Sequence, residues 1–201
     1  MVCEDSKINK FIEKRLQLLQ QLPVKRIAKA WIKGICPKKQ ATFPYHKKKR
    51  AREGWEHESA DIPEWWPPTT ECRFVEPDHI RRDGTFSRSE RRYIPKLISI
   101  ERIKLCIHLL RLRPDPADLK KWNNDSVEPH PTHVNRGWTE FLLELAPLSI
   151  FDEMRESEDK TQHRQKLLGQ IYELARREEE FACGEIGTNY AHRTFNCRPC
   201  D

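Results

Sequence analysis

Three lysines at four-residue spacing, Lys25, Lys29 and Lys33, would stand above one another on one face of a helix. A ladder of ammonium groups suits phosphates. Like charges so placed destabilise an isolated helix by about 0.2–0.5 kcal/mol per pair, so the ladder reads either as a phosphate-facing helix or as a solvated face that is merely basic. A second cluster, Lys47, Lys48, Lys49, Arg50 and Arg52, falls where the sequence has no periodicity. Flexible cations of this kind suit an import receptor's acidic groove, nucleic-acid phosphates, or no partner beyond water. Both clusters belong to one run, Lys14 to Arg52, with 13 basic residues and no acidic one. Surface charges are normally interspersed, so a run of this length calls for a polyanion, an acidic partner or an import receptor.

Two other groupings carry weaker chemistry. Cys197 and Cys200 form a Cys-x-x-Cys pair, and with Cys183 and His192 upstream they offer the four soft ligands that tetrahedral zinc needs. The spacing matches no standard finger, and an ordinary terminus is the simpler reading, with no cofactor expected. Asp78 beside His79 invites a catalytic or metal role, yet nothing nearby completes a triad or a ligand set. No glycine-rich phosphate loop, nucleophile elbow or metal-spaced histidine pair occurs, so the expectation is a protein that is not an enzyme.

The elements that must position these groups are helical. Ser6 is a candidate cap for a helix over 7–22, with Leu22 closing its apolar stripe and Pro23 as the stop; Val24, Ile27, Ala28, Trp31 and Ile35 then line a second helix. Two adjacent tryptophans, Trp65 and Trp66, cannot both face one core from regular structure. Fixed by Pro67 and Pro68, they can lay both rings across a helix pair, which makes packing the favoured role over an exposed platform for bases or a proline-rich ligand. Glu76, Pro77 and Asp78 read as a turn entering a helix.

Ser99 can cap the most apolar helix, whose Ile103, Leu105, Ile107, Leu109 and Leu110 surround most of its circumference and mark it as central. Cys106 and His108 on it are expected in or beside the core. Trp138 to Leu145 forms a short stripe, Ile150, Phe151 and Met154 begin another, and a long helix over 158–182 turns Leu167, Leu168, Ile171, Leu174 and Phe181 inward. No alternating strand pattern appears. The fold class is all-α: an irregular bundle of about five helices with long proline-rich loops. Its expected organisation is a helical hairpin over 1–36, a linker over 37–63, a bundle core over 64–187 and a mobile tail over 188–201.

Composition sets the compartment. With 201 residues, 37% hydrophobic and 34% charged, and a mean hydropathy of −0.84, the core must be small. No stretch of about 18 apolar residues could span a bilayer, and Met1 to Ser6 lacks the layout of a signal peptide, so a soluble intracellular protein without a membrane partner is expected. The seven scattered cysteines read as thiols. Residues 1–60 hold 15 Lys/Arg against 6 Asp/Glu, whereas 61–201 hold 22 against 25. The positive charge is therefore a property of the front of the chain.

The run Ala30-Trp31-Ile32-Lys33, then Pro37-Lys38-Lys39-Gln40, Pro44-Tyr45, Trp65-Trp66-Pro67-Pro68, Glu76-Pro77-Asp78-His79 and Glu101-Arg102-Ile103 resembles a fungal family of unknown biochemical activity. It is the helical-bundle domain of the proteins named for the subtelomeric hrmA-associated cluster, with a yeast relative. The resemblance covers roughly residues 25–112 and, more loosely, Arg176 to Glu180. It implies a fungal origin, a helical bundle, and a link to hyphal morphology, biofilm architecture and low-oxygen fitness, and it supplies no catalytic residues. Residues 81–98 depart from it as an insertion, and members of the family are often longer than this chain.

The reading that follows is a nuclear regulatory protein whose segment from Lys14 to Arg52 contacts DNA or RNA. The alternative is a protein-interaction module whose basic cluster meets an acidic protein or only an import receptor, in the nucleus or the cytoplasm.

Overall fold

The computed structural model describes residues 2–45, 61–74, 94–122, 136–154 and 156–182. Seven α-helices and one 3-10 turn occur among them, and no strand. In chain order they are α1 (Val2–Leu19), α2 (Gln21–Ile35), α3 (Lys39–Thr42), α4 (Ile94–Arg111), α5 (Pro116–Trp122), α6 (Trp138–Leu145), the turn Leu148–Phe151, and α7 (Glu158–Ala182). Helix α2 packs on α1, α4, α6 and the 3-10 turn, while α7 packs on α1, α6 and that turn. The fold is an all-α bundle.

The apolar stripe of α2 explains its central place. Val24, Ile27, Ala28, Trp31, Ile32 and Ile35 are all buried, and they recur at the three- and four-residue steps that align one helix face. Trp31 is fully buried, and its indole Nε1 donates to the Leu142 carbonyl at 3.0 Å and to the Tyr172 hydroxyl at 3.3 Å. Tyr172 in turn lies 2.8 Å from the Ala146 carbonyl. The Leu142 carbonyl uses a second lone pair beyond the one that accepts the Ala146 amide at 3.0 Å, and the Ala146 carbonyl lies just past the helix end, so the end of α6 supplies the acceptors that these two buried polar atoms require.

Helix α6 has only eight residues, too few to be stable alone. Side chains of α7 hold both of its ends: Tyr172 at the C-terminus, and at the N-terminus Glu179, which accepts from the amides of Trp138 at 2.6 Å and Thr139 at 2.9 Å. Gly137 leads into that cap at φ +92°, and a Cβ there would lie 2.5 Å from the Glu179 Oε1. Gly137→Ala should therefore cost about 1–3 kcal/mol, from backbone strain and a displaced cap, read as a lower urea midpoint with unchanged slope.

Helix α4 is central as expected. Arg102, Ile103, Leu105, Cys106, Leu109 and Leu110 are buried, and Trp138 donates its Nε1 to the Leu109 carbonyl at 2.9 Å, tying α6 to α4. The helix begins at Ile94, so Ser99 lies within it instead of capping it. The first helix ends at Leu19, ahead of the expected stop at Pro23. Gln20, at φ +71°, makes the break, and Pro23 sits in the first turn of α2, where a missing N–H is harmless. Leu22 and Phe181 are not inward: they are 54% and 72% exposed. The count of about five helices rises because α3 and α5, four and seven residues long, are too short to show a periodicity.

The tryptophan pair packs. Trp65 is fully buried, Trp66 is 4% exposed, and Pro67 is buried beside them. The carbonyl of Trp65 meets His108 Nε2 at 3.2 Å, so that nitrogen carries the proton, and Trp66 Nε1 donates to the Cys72 carbonyl at 3.3 Å. Burial lowers the His108 pKa below its ordinary value, offset in part by the Trp65 carbonyl and the charge of Glu71. The unfolded chain then binds a proton more readily than the native one. His108 thus contributes its full stability above about pH 6.5 and loses it as the pH falls towards its lowered native pKa. Urea midpoints at pH 7 and pH 5 should show a drop that is smaller in His108→Gln.

Candidate functional site

Opposite its apolar stripe, α2 carries Lys25, half-buried, and Lys29 and Lys33, both exposed. The four-residue ladder is therefore on the outer side of the bundle's best-connected helix. At its C-terminal end the chain turns through Cys36 and Pro37 into α3 and on to Tyr45, leaving a cleft of about 300 Å³. One side is polar, with Lys29, Lys33, Lys39 and Gln40; the other is formed by Ile32, Cys36, Pro37 and Tyr45. Among the described residues no carboxylate lines it.

Lys39 is the least ordinary residue of this region. It is 4% exposed, and its Nζ lies 2.6 Å from the Tyr45 ring centroid, 4.2 Å from that of Phe74 and 5.7 Å from that of Trp66. The three rings pack on one another, with Trp66 and Phe74 at 5.1 Å and 89°, and Tyr45 and Phe74 at 4.9 Å. The negative faces of such rings stabilise a desolvated ammonium, by about 2 kcal/mol or more per well-placed contact. A positive charge is thereby fixed inside the cleft wall. Its reach is visible at Cys36, whose thiol is raised by burial and lowered in part by the charge of Lys39.

The acid-free run does not act as one surface. Arg15 donates to Gln170 at 3.3 Å and lies over the Phe11 ring, and Arg26 pairs with Glu153 at 3.1 Å while donating to the Ile150 carbonyl at 3.0 Å. These guanidiniums fasten α1 and α2 to the later elements. Lys33 and Lys38 have no carboxylate partner among the described residues. Arginines further along are matched: Arg111 and Arg113 by Glu178, Arg136 and Arg176 by Glu140, Arg164 by Glu156.

Other candidates are placed or lie outside. Trp65, Trp66 and Pro67 are buried in the core, and Trp66 packs against Tyr45 and Phe74 of the Lys39 cluster. Lys47, Lys48, Lys49, Arg50 and Arg52, the turn residues Glu76, Asp78 and His79, and the set Cys183, His192, Cys197 and Cys200 lie outside the described residues. Among the described residues no group of three His, Cys, Asp or Glu could hold a metal ion, and no helix is long and apolar enough to cross a membrane. Burial pushes the thiols of Cys72 and Cys106 up to about 12, which keeps both protonated and unreactive at neutral pH. Lys39, Gln40 and Phe74 were not singled out for function in the sequence; the one available signal was aromatic residues beside a basic pair, at Lys38-Lys39 and Phe43 to Tyr45.

The fold defines the class, an all-α helical bundle. Residues 1–194 match the YDR124W-like, helical bundle domain, and the chain belongs to that family. It is 28% identical over 185 residues to a subtelomeric hrmA-associated cluster protein of Aspergillus fumigatus, covering 89% of this chain and 28% of the relative. The chain thus spans little more than a quarter of that relative's length. No solved structure matches it.

Proposed function

We propose that this bundle is a non-catalytic, nuclear module that binds nucleic acid through phosphate contacts along the outer face of α2, with the segment from Lys47 to Arg52 adding further cations and serving nuclear import. One observation carries the reading: Lys29 and Lys33 are exposed at a cleft that no carboxylate of the described residues lines, next to a third lysine packed against aromatic rings. Like charges at this spacing cost an isolated helix a few tenths of a kcal/mol, a cost that an anion bound outside the helix would offset.

Phosphate contacts of this kind position a protein on nucleic acid without reading sequence, so little base specificity is expected. Fluorescence anisotropy with a labelled duplex and a labelled single strand tests the reading. Affinity should fall steeply between about 50 and 200 mM salt and differ little between unrelated sequences. A flat salt response, or no binding at low salt, would remove it.

A further inference from the structure

Helix α1 carries two repeats. Ile12, Leu16 and Leu19 are buried where the helix packs on α2, α4 and α7. On the opposite face Lys7, Phe11, Lys14 and Leu18 recur at steps of four, three and four residues, the spacing that keeps side chains on one seam. Lys7, Lys10, Lys14 and Leu18 are exposed, and Phe11 is half-buried. Leu18 is 51% exposed and Leu22, across the break at Gln20, is 54% exposed. Cations and apolar side chains thus alternate over about 16 Å of helix.

The lysines of this face are not spent on the fold. Lys7, Lys10 and Lys14 have no carboxylate partner among the described residues, and Glu13, at the margin of the face, accepts from the Gln17 side chain at 3.0 Å. Arg15 belongs to the fold instead: its guanidinium lies 3.5 Å from the Phe11 ring centroid and reaches Gln170 of α7.

Lysines alone would suit phosphates or water, but neither has a use for leucines in line with them. An anionic bilayer would use both kinds of group. Two half-exposed leucines, however, offer less apolar chain than one myristoyl group, which by itself binds membranes only marginally. An acidic amphipathic helix fits better. Carboxylates at the same steps would stand opposite the lysines, and apolar residues between them would cover Leu18 and the free edge of Phe11, as in a short coiled-coil seam.

We propose that the outer face of α1 is a docking seam for an acidic, amphipathic helix of a partner protein, with Lys7, Lys10 and Lys14 meeting its carboxylates and Phe11, Leu18 and Leu22 its apolar residues. The proposal goes beyond the nucleic-acid reading and uses none of the lysines of α2, so the two can fail separately.

The full chain is titrated by anisotropy with a labelled synthetic helix of about three heptads that alternates leucine and glutamate at three- and four-residue steps. Two control peptides replace its leucines by alanine or its glutamates by lysine. The acidic leucine peptide should bind, the alanine peptide about tenfold more weakly, and the lysine peptide not at all. Leu18→Ala should weaken binding about fivefold, and the Lys7→Glu, Lys14→Glu double variant about tenfold or more. All three positions are exposed, so the variants should keep the helical circular dichroism, and Leu18→Ala should leave duplex binding unchanged. Equal affinity for the leucine and alanine peptides, or no effect of Leu18→Ala, would overturn the seam and leave a bare attraction of charges. Binding to phosphatidylserine vesicles without binding to the peptide would overturn it in favour of a membrane surface. Failure of the acidic leucine peptide to bind would overturn it and leave the nucleic-acid reading untouched.

Discussion

Replacing Trp31 with alanine should lower the free energy of unfolding by about 3–5 kcal/mol, enough to unfold much of the population of an ordinary small domain. The indole is fully buried at the meeting of α2, α6 and α7, and it donates to Leu142 and Tyr172. Its loss opens a large cavity. It also strips the Tyr172 hydroxyl of one partner and leaves it leaning on the Leu142 and Ala146 carbonyls alone. Trp31→Phe separates the two contributions: it keeps most of the volume and removes only the donor, and should cost about 1–3 kcal/mol. Chemical denaturation of both variants checks this, and equal losses would mean that packing contributes little there.

Trp66→Ala should cost a similar amount, about 3–5 kcal/mol, by a different route. Its ring meets Phe74 edge-on at 5.1 Å, Tyr45 at 6.0 Å and Trp65 at 5.7 Å, and its N–H closes the turn at Cys72. Removing it takes away the back wall of the cluster that holds the Lys39 ammonium. The variant should therefore lose more than stability: phosphate binding should weaken even under conditions where circular dichroism shows it folded, because Lys39 would no longer be fixed. Full retention of binding by the folded variant would show that the aromatic cluster has no part in the site. Lys39→Met provides the complementary case, with the rings intact and the charge gone.

The helices that read well from sequence are those whose periodicity spans several turns. The span of α7, 158–182, and that of α6, 138–145, agree with the apolar spacing, and the stripe of α2 identifies its buried residues almost one for one. The break between α1 and α2 was misplaced because proline is a strong local signal and Gln20 is none. A glutamine at φ +71° is held by tertiary contact, including Arg164 Nη2 at 3.4 Å from its side-chain oxygen, and no local propensity announces that. Phe181 follows the stripe of α7 but lies in its last turn, where 72% of it stays in solvent.

The candidate site divides along the same line. The ladder of Lys25, Lys29 and Lys33 is a matter of helical spacing and was legible. The Lys39 cluster was not, because Lys39, Tyr45 and Phe74 lie up to 35 positions apart and meet only through the fold. Net charge misleads in detail: Arg15 and Arg26 belong to the acid-free run, yet both are used to fasten helices together.

The salt dependence of binding to one duplex, compared between the native protein and the Lys29→Gln, Lys33→Gln double variant, reaches the role of α2 most directly. Each phosphate contact on duplex DNA contributes about 0.9 to the slope of log K against log salt, so removing two should flatten it by about 1.8. Affinity should fall by a similar factor for every sequence tried. Identical slopes for the two proteins would contradict the assignment, and would mean that the lysines of α2 face only water.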